Sequence, residues 1–532
     1  MSINNLKKLP GMKKTIQLIL AIALLGTGCK KFLDINQNPN APQTVTPNVV
    51  LSAALANTAV NAAGATAGSF VKINNWMGYW SRSGNFVPDV NTETYNIPNN
   101  YTDADWNAYY LNLNSYDYIE KTGHANNLPF YIAAAKTMKA FNFATLVDMY
   151  NDIPYSEAFD VENNVRPKYD DAQTIYNDLV SQLDSAIDYF EKAKDFYSVA
   201  PDVTLATDDQ YDIMFGNGGT NSLAAAVARL TMWQKFANTE KLKLLVHQSE
   251  IPAQASFIQT EINKTIDIGY LAVGESAAVN PGYAASAGQQ NPFYGTFFTL
   301  VGPSGAQTYF RANTYAVNFY ESTGDVRQAY FYDGNTLTPG SNYDGDPASV
   351  PNSATSGIGP GVLKGNSQDQ LILSDFESLF LQAEAAQRGW IPGSAQSFYE
   401  SAVTQNFVYL YKDYDDVDNP VSNAKAYLSG HLLGVGPQKD VNWNATPDKL
   451  ELILTQKWAA ENSINWLETY TDYRRTGFPT TEWLDISHAG THIEPKIPIR
   501  LLYPQSEYNT NGSNVPALPN NAQFTEHIFW DK

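Results

Sequence analysis

One cysteine, Cys29, serves all 532 residues. A lone thiol closes no intramolecular disulfide, so a disulfide-stapled secreted scaffold is excluded. Basic residues are scarce too: 34 Lys and Arg stand against 54 Asp and Glu, a formal charge of −20. Nucleic-acid binding rests on Lys and Arg neutralising phosphates, and a surface this acidic repels that partner and anionic lipid alike. Long apolar runs are missing. The segment Ile16–Leu25 holds about ten residues, half of the roughly twenty a membrane-spanning helix needs. Catalytic signatures are equally thin. "GNGGTN" (Gly216–Asn221) lacks the Gly-Lys-Ser/Thr of a phosphate loop, and "GPSGA" (Gly302–Ala306) is one residue short of a nucleophile elbow. "HAGTHIEP" brings His488, His492 and Glu494 close together, but without the helical H-E-x-x-H arrangement. Neither a metal nor a cofactor is expected, and the residues call for no enzyme.

What is present begins at the N-terminus. Lys7, Lys8, Lys13 and Lys14 precede the short apolar run with no acidic residue among them, and Gly26, Thr27 and Gly28 lead into Cys29. A basic stretch, a short apolar stretch and small residues make a signal peptide over residues 1–28. A cysteine at the cleavage point resembles the lipobox of bacterial lipoproteins, with Leu25 one place earlier than usual. The resemblance implies that Cys29 is acylated and anchors the mature chain, several acyl chains giving lasting attachment where one would not. Without the leader lysines the balance is 30 basic to 54 acidic residues, a formal −24. Residues 29–48, with several Pro and Asn, read as a polar tether, and residues 49–532 as the folded part.

Helical periodicity dominates that part. Ala104–Thr122 and Leu128–Tyr150 predict an antiparallel helix pair. In Asp170–Phe196, Ile175, Leu179, Leu183, Ile187 and Phe190 recur at three- and four-residue spacing. Ser222–Gln248 predicts a helix broken near Asn238, and helices return over 374–390, 393–411 and 446–477. Between about 268 and 370, Gly, Ser, Asn and Pro alternate with aromatic clusters, which predicts long loops with short strands and helices. Ala383, Ala395, Tyr399 and Ala402 stand at offsets 0, 12, 16 and 19. That resembles the small–small–aromatic–small spacing of a tetratricopeptide repeat. The expected fold is all-α: an α-solenoid of degenerate tetratricopeptide-like helix pairs with a large irregular, loop-rich insertion.

Six segments, in order, carry a more specific likeness: "FLDINQNPN", "LVDMYNDIPYSEAF", "WQKFANTEKLKLLV", "ESLFLQAEAAQRGW", "ILTQKWAAENSINWLETYTDYRRTGFP" and "IPIRLLYPQSEYNTN". Together they resemble the SusD/RagB family of outer-membrane lipoproteins, in particular its second large subgroup. Asn151 stands where that family usually has Gly. The resemblance implies a lipid-anchored protein at the cell surface, partnered with a SusC-like TonB-dependent outer-membrane transporter. Such a protein captures a glycan, or in some members a peptide, for import, and breaks no bond itself. A helical-repeat scaffold for another protein and a surface glycoside hydrolase are the alternatives.

Aromatic faces suit loose sugar binding, with Asn, Asp and Arg setting orientation. Two stretches offer them. "NNWMGYWSRSGNF" has Trp76, Tyr79 and Trp80 on one face if helical, followed by Arg82 and Asn85. "NPFYGTFFTL" offers Phe293, Tyr294 and Phe298, with Tyr309 and Arg311 as further candidates. An aromatic stripe at helical spacing usually packs inward, so the first stretch reads more readily as core than as site.

Overall fold

A computed structural model describes residues 45–65, 70–87, 89–199, 202–334, 337–340, 354–411, 419–430, 438–480 and 497–531. Cys29 and the His488–Glu494 cluster lie outside them. The first helices are α1 (Pro47–Ala62), α2 (Asp103–Asn126), α3 (Pro129–Tyr150), α4 (Ala172–Val199), α5 (Asp202–Tyr211), α6 (Leu223–His247) and α7 (Ala255–Thr265). Pro129 opens α3 at a position whose N–H is unpaired in any helix. The helix is apolar nearly all round and is buried between α2 and α4. In α4 the predicted stripe Ile175, Leu179, Leu183, Ile187 and Phe190 faces the core, each at 5% exposure or less. Apart from Val199, the exposed residues of the helix are polar. Asp171 starts the helix by accepting the Thr174 N–H at 2.8 Å.

Four short helices cross the insertion: α8 (Pro292–Phe297), α9 (Gly305–Tyr309), α10 (Thr314–Thr323) and α11 (Gln328–Phe331). The C-terminal set is α12 (Asp375–Gln387), α13 (Ala395–Tyr411), α14 (Pro420–Ser429), α15 (Lys449–Ala460) and α16 (Trp466–Thr476). Helix α13 packs on α12 and α14, and α15 on α12. Ala383, Tyr399 and Ala402 are fully buried in this stack, as the repeat spacing requires. Strands among the described residues are two to four residues long and pair antiparallel. They are β1 (Trp80–Arg82) with β7 (Phe310–Ala312), β2 (Ile153–Pro154) with β3 (Tyr169–Asp170), β4 (Ala277–Val279) with β8 (Gln370–Leu373), and β5 (Phe298–Thr299) with β6 (Gly302–Pro303). The architecture is thus all-α, of tetratricopeptide-like helix pairs, with the irregular insertion between α7 and α12.

Two helix expectations need correction. Helix α6 runs unbroken through Asn238, whose amide donates to the carbonyls of Thr265 and Gly269 at 3.0 and 2.8 Å. The polar side chain ties down the next segment instead of competing for its own backbone. Conversely, 446–477 is two helices, because Ser463 takes φ +62° and Asn465 caps α16 by accepting the Glu468 N–H. At Asn151 the chain leaves α3 with φ +69°, a conformation Asn tolerates better than most non-glycine residues.

The segments that carry the family likeness build a buried ionic core. Arg475 grips Glu384 with two bonds of 2.8 and 2.6 Å and also reaches Asp472 at 2.6 Å. Lys457 joins Glu468 and Asp472, and His247 meets Glu468 at 3.2 Å. Burial pushes the Glu384 carboxyl up, but the Arg475 guanidinium outweighs it and holds the group at about 2. Glu461, whose two carboxyl oxygens lack hydrogen-bond partners, is pushed well up by burial and by the neighbouring Glu377. Arg474 bonds the carbonyls of Asp148 and Ile499 and lies over the Tyr470 ring. These motif residues hold helices together.

Candidate functional site

The antiparallel ladder of β1 and β7 sets Ser81 opposite Arg311 and Arg82 opposite Phe310, so the first flagged stretch meets the further candidate Arg311. The aromatic residues of the two flagged stretches part ways. Gly78, at φ +72°, ends the short helix Ile73–Trp76, and Trp76, Tyr79 and Trp80 are each at most 1% exposed. Tyr79 donates its hydroxyl to the Trp458 carbonyl at 2.7 Å and stacks on the Trp458 ring; Trp80 bonds Ser463 and packs among Phe297, Phe310 and Trp466. Trp76 donates to the Thr92 carbonyl. Rings without solvent exposure offer no face to a ligand; these three are core. Phe293 joins them at 5% exposure, against Phe297 and Trp466.

Arg82 is buried against Glu93 at 2.8 Å and donates to the Phe86 carbonyl, which fixes the loop that carries exposed Asn85. Tyr309 is half-buried with its ring edge-on to Phe86 at 5.3 Å. Tyr294 and Phe298 stack at 5.1 Å with an interplanar angle of 20° and stay half-buried. Of the ten candidates, Phe298 lines a cleft.

That cleft encloses about 590 Å³ between Phe298, Gln307, Tyr330, Asp333, Leu363 and Tyr411. Its floor is the segment 330–333 laid against Gly357–Gly361. Asp333 and Gly357 clasp each other: the Asp333 N–H donates to the Gly357 carbonyl at 3.0 Å, and the Gly357 N–H donates to the Asp333 carboxylate. Gly359 and Gly361 donate to the carbonyls of Phe331 and Tyr330, both at 2.8 Å. A Cβ on Gly359 or Gly361 would fall 2.5–2.6 Å from the atoms of Tyr330 and Tyr332, so only glycine permits this approach. Tyr330 stacks on Tyr411 with centroids 3.8 Å apart, and one wall of the cleft is therefore a rigid aromatic pair. Arg311, buried behind the cleft, braces Gln307 and the Thr355 carbonyl. Burial pulls its pKa down, and Asp333 works against that.

Sequence reasoning reached Phe298 and Arg311 and missed Gln307, Tyr330, Asp333 and Tyr411. The usable signal was the alternation of glycines in "GIGPG" (357–361), which marks a strand-like segment that another backbone approaches closely.

Two other cavities are less suited to a ligand. An enclosed space of about 60 Å³ beside Glu240, Lys243 and Glu377 holds a few waters at most. A groove of about 540 Å³ between α2, α3 and α4 carries Lys121, Lys136 and Lys139, each already ion-paired with Asp117 or Glu120. Among the described residues, no group of three His, Cys, Asp or Glu is placed to hold a metal ion, and no helix is long and apolar enough to cross a membrane.

No curated protein is similar to the chain. Solved structures are. A chitin-binding SusD homolog from Flavobacterium johnsoniae is 22% identical with a TM-score of 0.69, covering 91% of this chain and 98% of its own. A SusD/RagB family protein from Bacteroides thetaiotaomicron is 20% identical with a TM-score of 0.70, covering 92% and 99%. A SusD homolog from Bacteroides fragilis is 21% identical with a TM-score of 0.67, covering 88% and 95%. At these identities the likeness establishes the fold. The profile of the SusD-like_2 family, described as starch-binding associating with outer membrane, matches residues 39–504, and this chain belongs to that family.

Proposed function

We propose that this chain is a lipid-anchored cell-surface protein that captures a glycan in the Phe298–Tyr330 cleft and passes it to a SusC-like TonB-dependent outer-membrane transporter. The observation that carries the reading is the cleft itself: aromatic walls beside Asp333, on a glycine-built floor. CH–π and apolar contact binds a sugar face without demanding one sequence of sugars, and a carboxylate acceptor orients hydroxyls. The family description and the chitin-binding neighbour support a glycan as ligand. Hydrolysis is not supported, because glycosidases use two carboxyl groups about the scissile bond, and the described lining residues supply one acid. A signal peptide over residues 1–28, acylation at Cys29 and location on the outer membrane complete the proposal.

Affinity electrophoresis through gels containing neutral polysaccharides tests the binding. Retention by at least one, lost in Tyr330→Ala, supports the cleft; equal retention of wild type and variant contradicts it. Membrane fractionation of Cys29→Ser tests the anchor, and co-purification with a large outer-membrane barrel in mild detergent tests the transporter.

A further inference from the structure

We infer that the cleft selects uncharged glycans and turns away those bearing carboxylate or sulfate groups, an inference that rests on the reading of the chain as a glycan binder. Among the described lining residues Asp333 is the one acidic side chain and none is Lys or Arg. The guanidinium behind the cleft, Arg311, is 5% exposed and donates through Nη1 and Nη2 to the carbonyls of Thr355 and Gln307. Gln307 turns its amide N–H₂ inward to the Ile358 carbonyl at 3.4 Å, and its Oε1 is buried. Among the described lining side chains the Asp333 carboxylate is therefore the charged group a ligand meets, beside the tyrosines Tyr330 and Tyr411. Asp333 is exposed, and the Gly357 N–H holds its Oδ1, so its second oxygen is fixed in orientation while it can still accept.

A carboxylate in the wall favours a ligand that donates to it. A hydroxyl or an acetamido N–H donates; a uronate or sulfate oxygen accepts only, and it meets Asp333 as a like charge. The −20 net charge of the chain adds a repulsion that acts before contact and weakens with salt. Arg-lined clefts pair anions bidentately; here the buried arginine does structural duty, and the described lining residues lack that means of capture.

The test uses the full chain in calorimetry against maltohexaose, laminarihexaose and chitohexaose, each beside its O-sulfated form, at low and at physiological salt. The expected result is binding of at least one neutral hexamer, with its sulfated form at least tenfold weaker. Asp333→Asn keeps an oxygen for the Gly357 N–H and removes the charge, and is expected to shrink that ratio severalfold. Asp333→Lys is expected to bring the sulfated form level with the neutral one or ahead of it. Wild type that binds a sulfated hexamer as tightly as its neutral parent overturns the selectivity and leaves glycan capture standing, as does an Asp333→Asn ratio unchanged from wild type. Wild type that binds no hexamer of either kind overturns glycan capture, and the selectivity with it.

Discussion

Replacing Arg475 by Met tests whether the ionic core is what holds the C-terminal helices in place. Arg475 is 0% and Glu384 1% exposed, and two short bonds join them. Removing one partner of a buried pair leaves an uncompensated charge at a cost of about 3–5 kcal/mol. A second route gives a similar size. The Glu384 carboxyl is lowered from its ordinary 4.5 to about 2, which corresponds to about 3 kcal/mol of stability at neutral pH. Arg388 remains 2.9 Å from Glu384 and keeps the expected cost of Arg475→Met at the lower end, about 3 kcal/mol. The pH dependence has a definite sign. A folded-state pKa below the unfolded one gives stability that is complete above about pH 4.5 and lost as pH falls towards 2. In the variant Glu384 is no longer held low, so acid costs it less. Urea unfolding followed by tryptophan fluorescence should find a gap of about 3 kcal/mol at pH 7 that narrows by about 2 kcal/mol at pH 3. A gap below about 1 kcal/mol, or one of equal size at both pH values, refutes the reasoning.

Three further outcomes are expected. Trp76→Ala deletes a core ring, so it should cost about 3–5 kcal/mol in unfolding experiments and leave glycan affinity of the folded fraction unchanged. Phe298→Ala should do the reverse: near-normal stability, with affinity for a retained glycan lowered by about 1 kcal/mol, roughly the size of one aromatic contact. In Gly357→Ala the new methyl would stand 2.9–3.2 Å from Arg311 Nη1, Asp333 Oδ2 and Gln307 Nε2, so calorimetry should show weakened binding with the protein still folded.

The helices were legible because their signals are local. The α4 stripe and the repeat spacing of Ala383, Tyr399 and Ala402 each lie within a few turns of chain. Ser463 and Asn465 escaped notice because a single positive φ leaves no periodic trace. The site was half legible for a different reason. Trp76, Tyr79 and Trp80 look like Phe298 in sequence, and what separates them is distant: Tyr79 meets Trp458 across 379 positions, and Trp80 meets Ser463 across 383. Asp333 gains its role from a loop 24 residues later, and Tyr411 from stacking on Tyr330. A side chain whose partner is far along the chain has no local signature.

Hydrogen exchange of the full chain, with and without a neutral glycan it retains, reads the cleft most directly. Protection gained over 296–308, 328–334 and 357–363 is the result expected. Protection confined to the groove around Lys136, Lys139 and Tyr155, with those three segments unchanged, contradicts it.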